Sequence, residues 1–166
     1  GPSLGGFVCP ATVAISERWK LGQLRPGDTV HFVPITAATA AERRAVDRRS
    51  IAEGRHPGVE LGDAELAATG RDPVGGILRS LPETDGRPTV TFRRAGEDHL
   101  LVEYGPMTLD LGLRMRVHSL AEAIRRESPD GILDLTPGIR SLQIHIDPDR
   151  VTLDHLLDLA TGLEEM

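Results

Sequence analysis

The sequence predicts an α/β chain whose best-patterned part is a sheet with helices on one face. Three observations carry this. Val90–Phe92 and Leu100–Tyr104 are short strand-like runs on either side of a turn, and Leu142, Ile144 and Ile146 face one side, as in a half-buried strand. Apolar residues recur at helical spacing over 109–127 and 153–163, the pattern of amphipathic helices. Gly/Pro-rich turns separate these segments. The order over 89–166 is ββ-α-ββ-α, an α/β sandwich, which follows a helix and linker at 37–88 and a strand-bearing segment at 1–36.

In residues 1–36, Thr12–Ile15 and Thr29–Ile35 are β-branched runs that read as strands. Arg25-Pro26-Gly27-Asp28 between them is a turn, and Pro34 ends the second run or sets it at an edge. Thr39 and Glu42 have capping-box spacing, so a polar helix is expected over about 40–53, ended by Gly54. Its arginines, at 43, 44, 48 and 49, are expected to form solvated ion pairs with Glu42, Asp47 and Glu53. Residues 55–88 carry ten Gly/Pro positions and no sustained period, so a mobile linker is expected there, with Val74–Leu78 docking as at most a turn of helix.

Val90–Phe92 and Leu100–Tyr104 flank a turn at 95–98 and form a hairpin. Leu109, Leu113, Val117, Leu120 and Ile124 are one helical stripe, closed by Pro129-Asp130-Gly131. Ile132–Leu135 and Leu142–Ile146 are strands joined by a turn at Pro137-Gly138. Thr152 caps a last helix whose stripe is Leu153, Leu156, Leu157, Ala160 and Leu163.

Composition excludes several function classes. The net charge of −6 argues against a nucleic-acid binder that works by phosphate neutralisation. Lys20 is the only lysine, so biotin attachment, a P-loop, a Schiff base or a Ser-Lys amidase would each have to use it. Cys9 is the only cysteine, which removes intrachain disulfides and thiolate zinc clusters. No apolar run approaches the roughly 20 residues that span a membrane, and no signal peptide is read, so a cytoplasmic chain is expected.

Candidate chemical groups each carry two readings. The loop Gly1-Pro2-Ser3-Leu4-Gly5-Gly6 either cradles an anion with its N–H groups or packs tightly against a strand. Cys9 is a nucleophile or a small buried hydrophobe. Arg140, before Ser141 at a strand start, either holds a carboxylate bidentately or pairs with Asp134 or Glu103 across the sheet. His145 and Asp147 share a strand face with metal-ligand potential, or simply face solvent, while His118 and His155 lie on helices. No catalytic residue, metal site or cofactor-binding residue is assigned from these patterns.

Residues 1–13 (Gly1-Pro2-Ser3-Leu4-Gly5-Gly6-Phe7-Val8-Cys9-Pro10-Ala11-Thr12-Val13), followed by Trp19–Thr29, resemble the end of the KipA-like half of a urea carboxylase carboxyltransferase, labelled allophanate hydrolase subunit 2. Residues 98–119 and 131–142 resemble the start of the KipI-like half, labelled allophanate hydrolase subunit 1. The resemblance implies a slice across a fusion joint: the β-barrel tail of a cyclophilin-type domain at 1–36, a linker at 37–88, and a truncated KipI-like N-terminal α/β domain at 89–166. It further implies transfer of a carboxyl group from carboxybiotin to urea, or guanidine in some relatives, giving allophanate.

On that resemblance Ser3, Gly5, Arg140 and Ser141 are the substrate-binding candidates. Biotin on a separate carrier and ATP belong to the whole enzyme, and neither is bound by this chain. The expected partners are the remaining carboxylase domains, with self-association of the chain and no nucleic acid or membrane. The slice is expected to be inactive alone. The competing readings are a KipI/KipA-like regulatory module and a 5-oxoprolinase component.

Overall fold

A computed structural model describes residues 11–55 and 76–165. These belong to two compact units, 11–55 to one and 76–165 to the other.

In the first unit, a 3-10 turn at Ile15–Glu17 runs into a single helical turn, α1 (Arg18–Leu21). The predicted Pro26-Gly27 turn forms: Asp28 N–H donates to the Arg25 carbonyl at 3.0 Å, and the Asp28 carboxylate accepts from Arg25 N–H at 2.7 Å. The strands expected at Thr12–Ile15 and Thr29–Ile35 do not occur. A β-branched run favours extension, but a strand exists only where a neighbour takes its N–H and C=O groups. Among the described residues of this unit, no other strand offers that ladder, and Phe32 stays 72% exposed.

Helix α2 (Ala37–Ala52) starts three residues earlier than predicted. Thr36, not Thr39, is the cap: its backbone is extended, and its hydroxyl oxygen accepts from Thr39 N–H at 3.2 Å. Gly54 closes the helix as expected, with φ at +68°, and Arg55 N–H returns to the Ser50 carbonyl at 2.7 Å. The helix is polar nearly all round, with Ala40 buried. One ionic contact joins it to the start of the unit: Glu17 accepts from Arg43 at 3.5 Å while pairing with Lys20 at 2.6 Å. Of the acids expected to balance the arginines, Glu53 pairs with Arg55.

The second unit is an antiparallel five-stranded sheet of order β1-β2-β3-β5-β4. Its elements are β1 (Ile77–Leu81), β2 (Val90–Arg94), β3 (His99–Tyr104), α3 (Leu111–Glu127), β4 (Ile132–Pro137), β5 (Ser141–Ile146) and α4 (Leu153–Glu165). The predicted ββ-α-ββ-α order is therefore present, with one strand added in front. Ile77–Leu81 is that strand, where a linker with a helical turn was expected; of the rest of the linker, 56–75 lie outside the described residues. The strand forms because β2 offers a free edge, with Leu81 opposite Val90 and Arg79 opposite Phe92. Arg79 then reaches helix α4, donating to the Thr161 hydroxyl at 2.9 Å and the Asp158 carboxylate at 2.8 Å.

Alternation along the strands sorts the side chains. Val90, Phe92, Leu100, Val102, Tyr104, Leu142, Ile144 and Ile146 are fully buried beneath the two helices. Leu113, Val117, Leu120, Ala121 and Ile124 of α3 meet them, as do Leu153, Leu156, Leu157 and Ala160 of α4. Leu109 does not belong to this stripe: α3 begins at Leu111 behind the Asp110 cap, and Leu109 is exposed. Asp110 satisfies an orphan donor, accepting from Gly112 N–H at 2.6 Å. The Thr152 cap of α4 is present, its hydroxyl accepting from His155 N–H at 3.2 Å.

One polar latch crosses the core. The Tyr104 hydroxyl donates to the Glu164 carboxylate at 2.5 Å, and Arg116 of α3 lies 3.4 Å from the other carboxylate oxygen. Arg87 adds a bond to the Glu164 carbonyl at 3.0 Å. A buried carboxylate is tolerated only when its oxygens are held in this way.

Two outcomes follow. Ile144→Ala removes a fully buried side chain at the sheet centre and should cost about 2–5 kcal/mol in urea unfolding. Tyr104 is the only tyrosine, so its titration is read directly by phenolate absorbance. Burial first, and then the Glu164 charge and hydrogen bond, hold its pKa far above the ordinary tyrosine value. A raised folded pKa means stability that is complete below the unfolded value of about 10 and lost as pH rises above it. The absorbance of the native protein should stay flat through that region, and phenolate should appear only with unfolding. A free titration near the ordinary value would contradict the latch.

Candidate functional site

The sheet face away from the helices is polar and carries two side-chain groups. The first centres on Glu103 of β3. Its carboxylate accepts from Arg93 Nε at 2.5 Å and from Arg140 Nη2 at 3.0 Å, one oxygen to each guanidinium. Arg140 also donates to the Gly105 carbonyl at 3.4 Å. Of the two partners expected for Arg140, Glu103 is therefore the one it meets. Asp134 instead accepts from the Thr136 hydroxyl at 2.8 Å. Sequence separation alone could not choose between them, because the choice depends on β5, not β4, lying beside β3.

Ser141 opens β5 under a tight turn. Gly138 N–H donates to the Ser141 carbonyl at 2.7 Å, and a Cβ at position 138 would stand 2.7 Å from Ser141 Oγ. Arg140 and Ser141 are thus set side by side at one end of the sheet. Ser3, Gly5 and Cys9 lie outside the described residues.

The second group is Asp98, His99 and His145. Ile146 N–H donates to the Asp98 carbonyl at 2.9 Å, so 98 and 146 are a hydrogen-bonded pair. His99 and His145, the next pair along, are then a non-hydrogen-bonded pair, in which side chains stand closest. The two imidazoles stack with centroids 4.3 Å apart and planes 3° from parallel. Asp98 is buried beside them, Oδ1 at 2.8 Å from His99 Nδ1 and Oδ2 at 3.9 Å from His145 Nε2. The sequence pairing of His145 with Asp147 is corrected here. β5 ends at Ile146, and the Asp147 carboxylate accepts from Asp149 N–H at 3.0 Å in the following turn. The clue missed was His99, whose partner is visible only once β3 and β5 are neighbours.

Lys20, the sole lysine, is engaged with Glu17 at 2.6 Å and lies 5.8 Å from the Trp19 ring centroid. It stands on a single helical turn, Arg18–Leu21.

Removing the Glu103 carboxylate leaves two guanidiniums facing each other. Glu103→Ala should cost about 1–3 kcal/mol, toward the lower end because Arg93 is partly solvated. Glu103→Gln should recover part of that loss, since the amide oxygen still accepts from one arginine. Equal unfolding midpoints for wild type and Glu103→Ala would show the pair to be energetically silent.

The family description "Carboxyltransferase domain, subdomain C and D" matches residues 90–166, and "Carboxyltransferase domain, subdomain A and B" matches residues 1–34. A urea amidolyase of Lachancea kluyveri is 36% identical over 99% of this chain, and one of Saccharomyces cerevisiae is 31% identical over 99%. The chain spans 9% of the length of each. Among solved structures, the K. lactis urea amidolyase superposes with a TM-score of 0.82 at 36% identity, over 96% of this chain and 10% of that one. The Kluyveromyces lactis urea carboxylase gives 0.81 at 36% identity, over 96% of this chain and 14% of that one. Matches at both ends of the chain, in the order A and B before C and D, and relatives aligned along nearly all of it lead to one conclusion: the chain belongs to the carboxyltransferase region of the urea amidolyase and urea carboxylase family.

Proposed function

We propose that this chain is part of the carboxyltransferase of a biotin-dependent urea carboxylase, the enzyme that places a carboxyl group on a urea nitrogen to give allophanate, with guanidine as the other substrate to test. The observation that carries the reading is the continuous alignment to urea amidolyases through both carboxyltransferase matches. In this reading 1–36 are the end of the first half of the carboxyltransferase, and the sheet and helices from 77 onward open the next half. Biotin and ATP are held by other domains, with which this chain works in the cytoplasm. Acyl transfer of this kind needs no enzyme nucleophile, because the substrate nitrogen attacks, and the sole cysteine is not required for it.

Ser3 and Gly5 are one pair of proposed substrate-binding residues. Arg140 and Ser141 are the second pair of candidates, and Arg140 would bind while tied to Glu103 and the Gly105 carbonyl. The chain by itself serves as a frame for the cleft, not as a complete catalyst.

The test uses the whole carboxylase that contains this chain, with ATP and bicarbonate, and measures substrate-dependent ATP turnover. Turnover is expected with urea or guanidine, and it should be absent when the isolated 166-residue chain replaces the carboxyltransferase beside a biotin carboxylase and biotinylated carrier. A whole enzyme unresponsive to both substrates would overturn the reading. Turnover restored by the isolated chain would overturn its role as a frame.

A further inference from the structure

We propose that Asp98, His99 and His145 form a binding site for a divalent transition-metal ion of the zinc class. One donor atom from each residue lies within 4.8 Å of the other two. Two imidazoles and a carboxylate are the donor set that suits Zn2+ and Co2+, whereas Mg2+ and Ca2+ call for oxygen-rich sites.

The site is built by the sheet, not by chance proximity on a loop. The hydrogen bond from Ile146 N–H fixes Asp98 at the head of β3, and its carboxylate is buried. The cross-strand register fixes the two histidines opposite each other. A tetrahedral ion with ligands at about 2.1 Å needs its donors about 3.4 Å apart. Asp98 Oδ1 stands 2.8 Å from His99 Nδ1 and Asp98 Oδ2 stands 3.9 Å from His145 Nε2, so the one carboxylate is within reach of both imidazoles through its two oxygens. The two imidazole planes are nearly parallel in the stack, so holding one ion requires the partly exposed rings to turn out of it until both nitrogen lone pairs point to one position beside Asp98. Water would supply the fourth ligand of a tetrahedral ion held by these three residues. Asp134 stands opposite His145 in the β4–β5 register and adds a further carboxylate to the neighbourhood.

The ion would join β3 to β5, strands brought together across a helix crossover, and add a cross-link on the sheet face opposite the two helices. This inference does not depend on the carboxylase reading. Without a metal, the same residues make a stacked ring pair and one Asp–His bond, and the experiment separates the two cases.

The full chain is titrated with Zn2+ against a chromophoric chelator and with Co2+ by visible absorption. One ion per chain and an intense tetrahedral Co2+ spectrum are expected. In His99→Gln the side-chain amide can still donate to the buried Asp98 carboxylate, and the metal-free melting temperatures of His99→Gln and His145→Gln are measured beside wild type so that lost folding is separated from lost binding. Each should weaken Zn2+ binding by more than the roughly 10–100-fold that loss of an outer-shell partner costs, and should abolish the Co2+ spectrum. His118→Gln and His155→Gln, on the helices, should change neither. Absence of a tetrahedral Co2+ spectrum, or wild-type Zn2+ affinity in His99→Gln or His145→Gln, would overturn the proposal.

Discussion

Strand β3 is the constraint on which the rest of the second unit depends. It lies at the centre of the sheet, hydrogen-bonded to β2 on one side and β5 on the other. Its side chains alternate strictly, with Leu100, Val102 and Tyr104 fully buried and His99, Leu101 and Glu103 on the opposite face. A slip of one residue would exchange those sets, placing Glu103 and His99 beneath the helices and three apolar side chains in water. At about 25 cal/mol per Å2 of apolar area, that exchange would cost several kcal/mol, comparable with the stability of a small domain. The core, the Glu103 pair and the His99–His145 stack therefore share one origin.

The two polar groups of the open face and the latch inside the core play different parts. Glu164 is buried and held by Tyr104 and Arg116, so it ties α4 to the central strand and to α3 at once. Glu103 balances two arginines at a partly solvated surface, where ion pairs contribute less. The latch governs stability, whereas the open face is where side chains remain accessible for binding. In the carboxylase reading, a rigid sheet and helix pair is a suitable frame for a cleft contributed by neighbouring domains.

The first unit shows the limit of local signals. Its turn at Pro26-Gly27 and its helix end at Gly54 are set by residues within a few positions, and both form as predicted. Its helix start moves to Thr36 because two threonines at the right spacing compete for the cap, and the hydroxyl of Thr36 is the one aligned with the Thr39 N–H. Thr29–Ile35 has the composition of a strand but no ladder partner among the described residues, so composition alone does not make it one.

What the sequence determined by itself was everything with a short period. The 2.0 and 3.6 periodicities identify β2, β3, β5, α3 and α4 and most of the core, because the side-chain direction of each residue follows from its neighbours in the chain. The long quoted strings at 1–29 and 98–142 also carried the family. Only the tertiary structure decided the strand order. β5 inserts between β3 and β4, which selects Glu103 over Asp134 for Arg140 and sets His99 and Asp98, not Asp147, beside His145. It also turns Ile77–Leu81 into a strand, since that segment has no period of its own and takes its form from the edge of β2. Contacts between residues dozens of positions apart depend on which strands meet, and that is decided by how the helices cover the whole sheet, a property no local stretch of sequence contains.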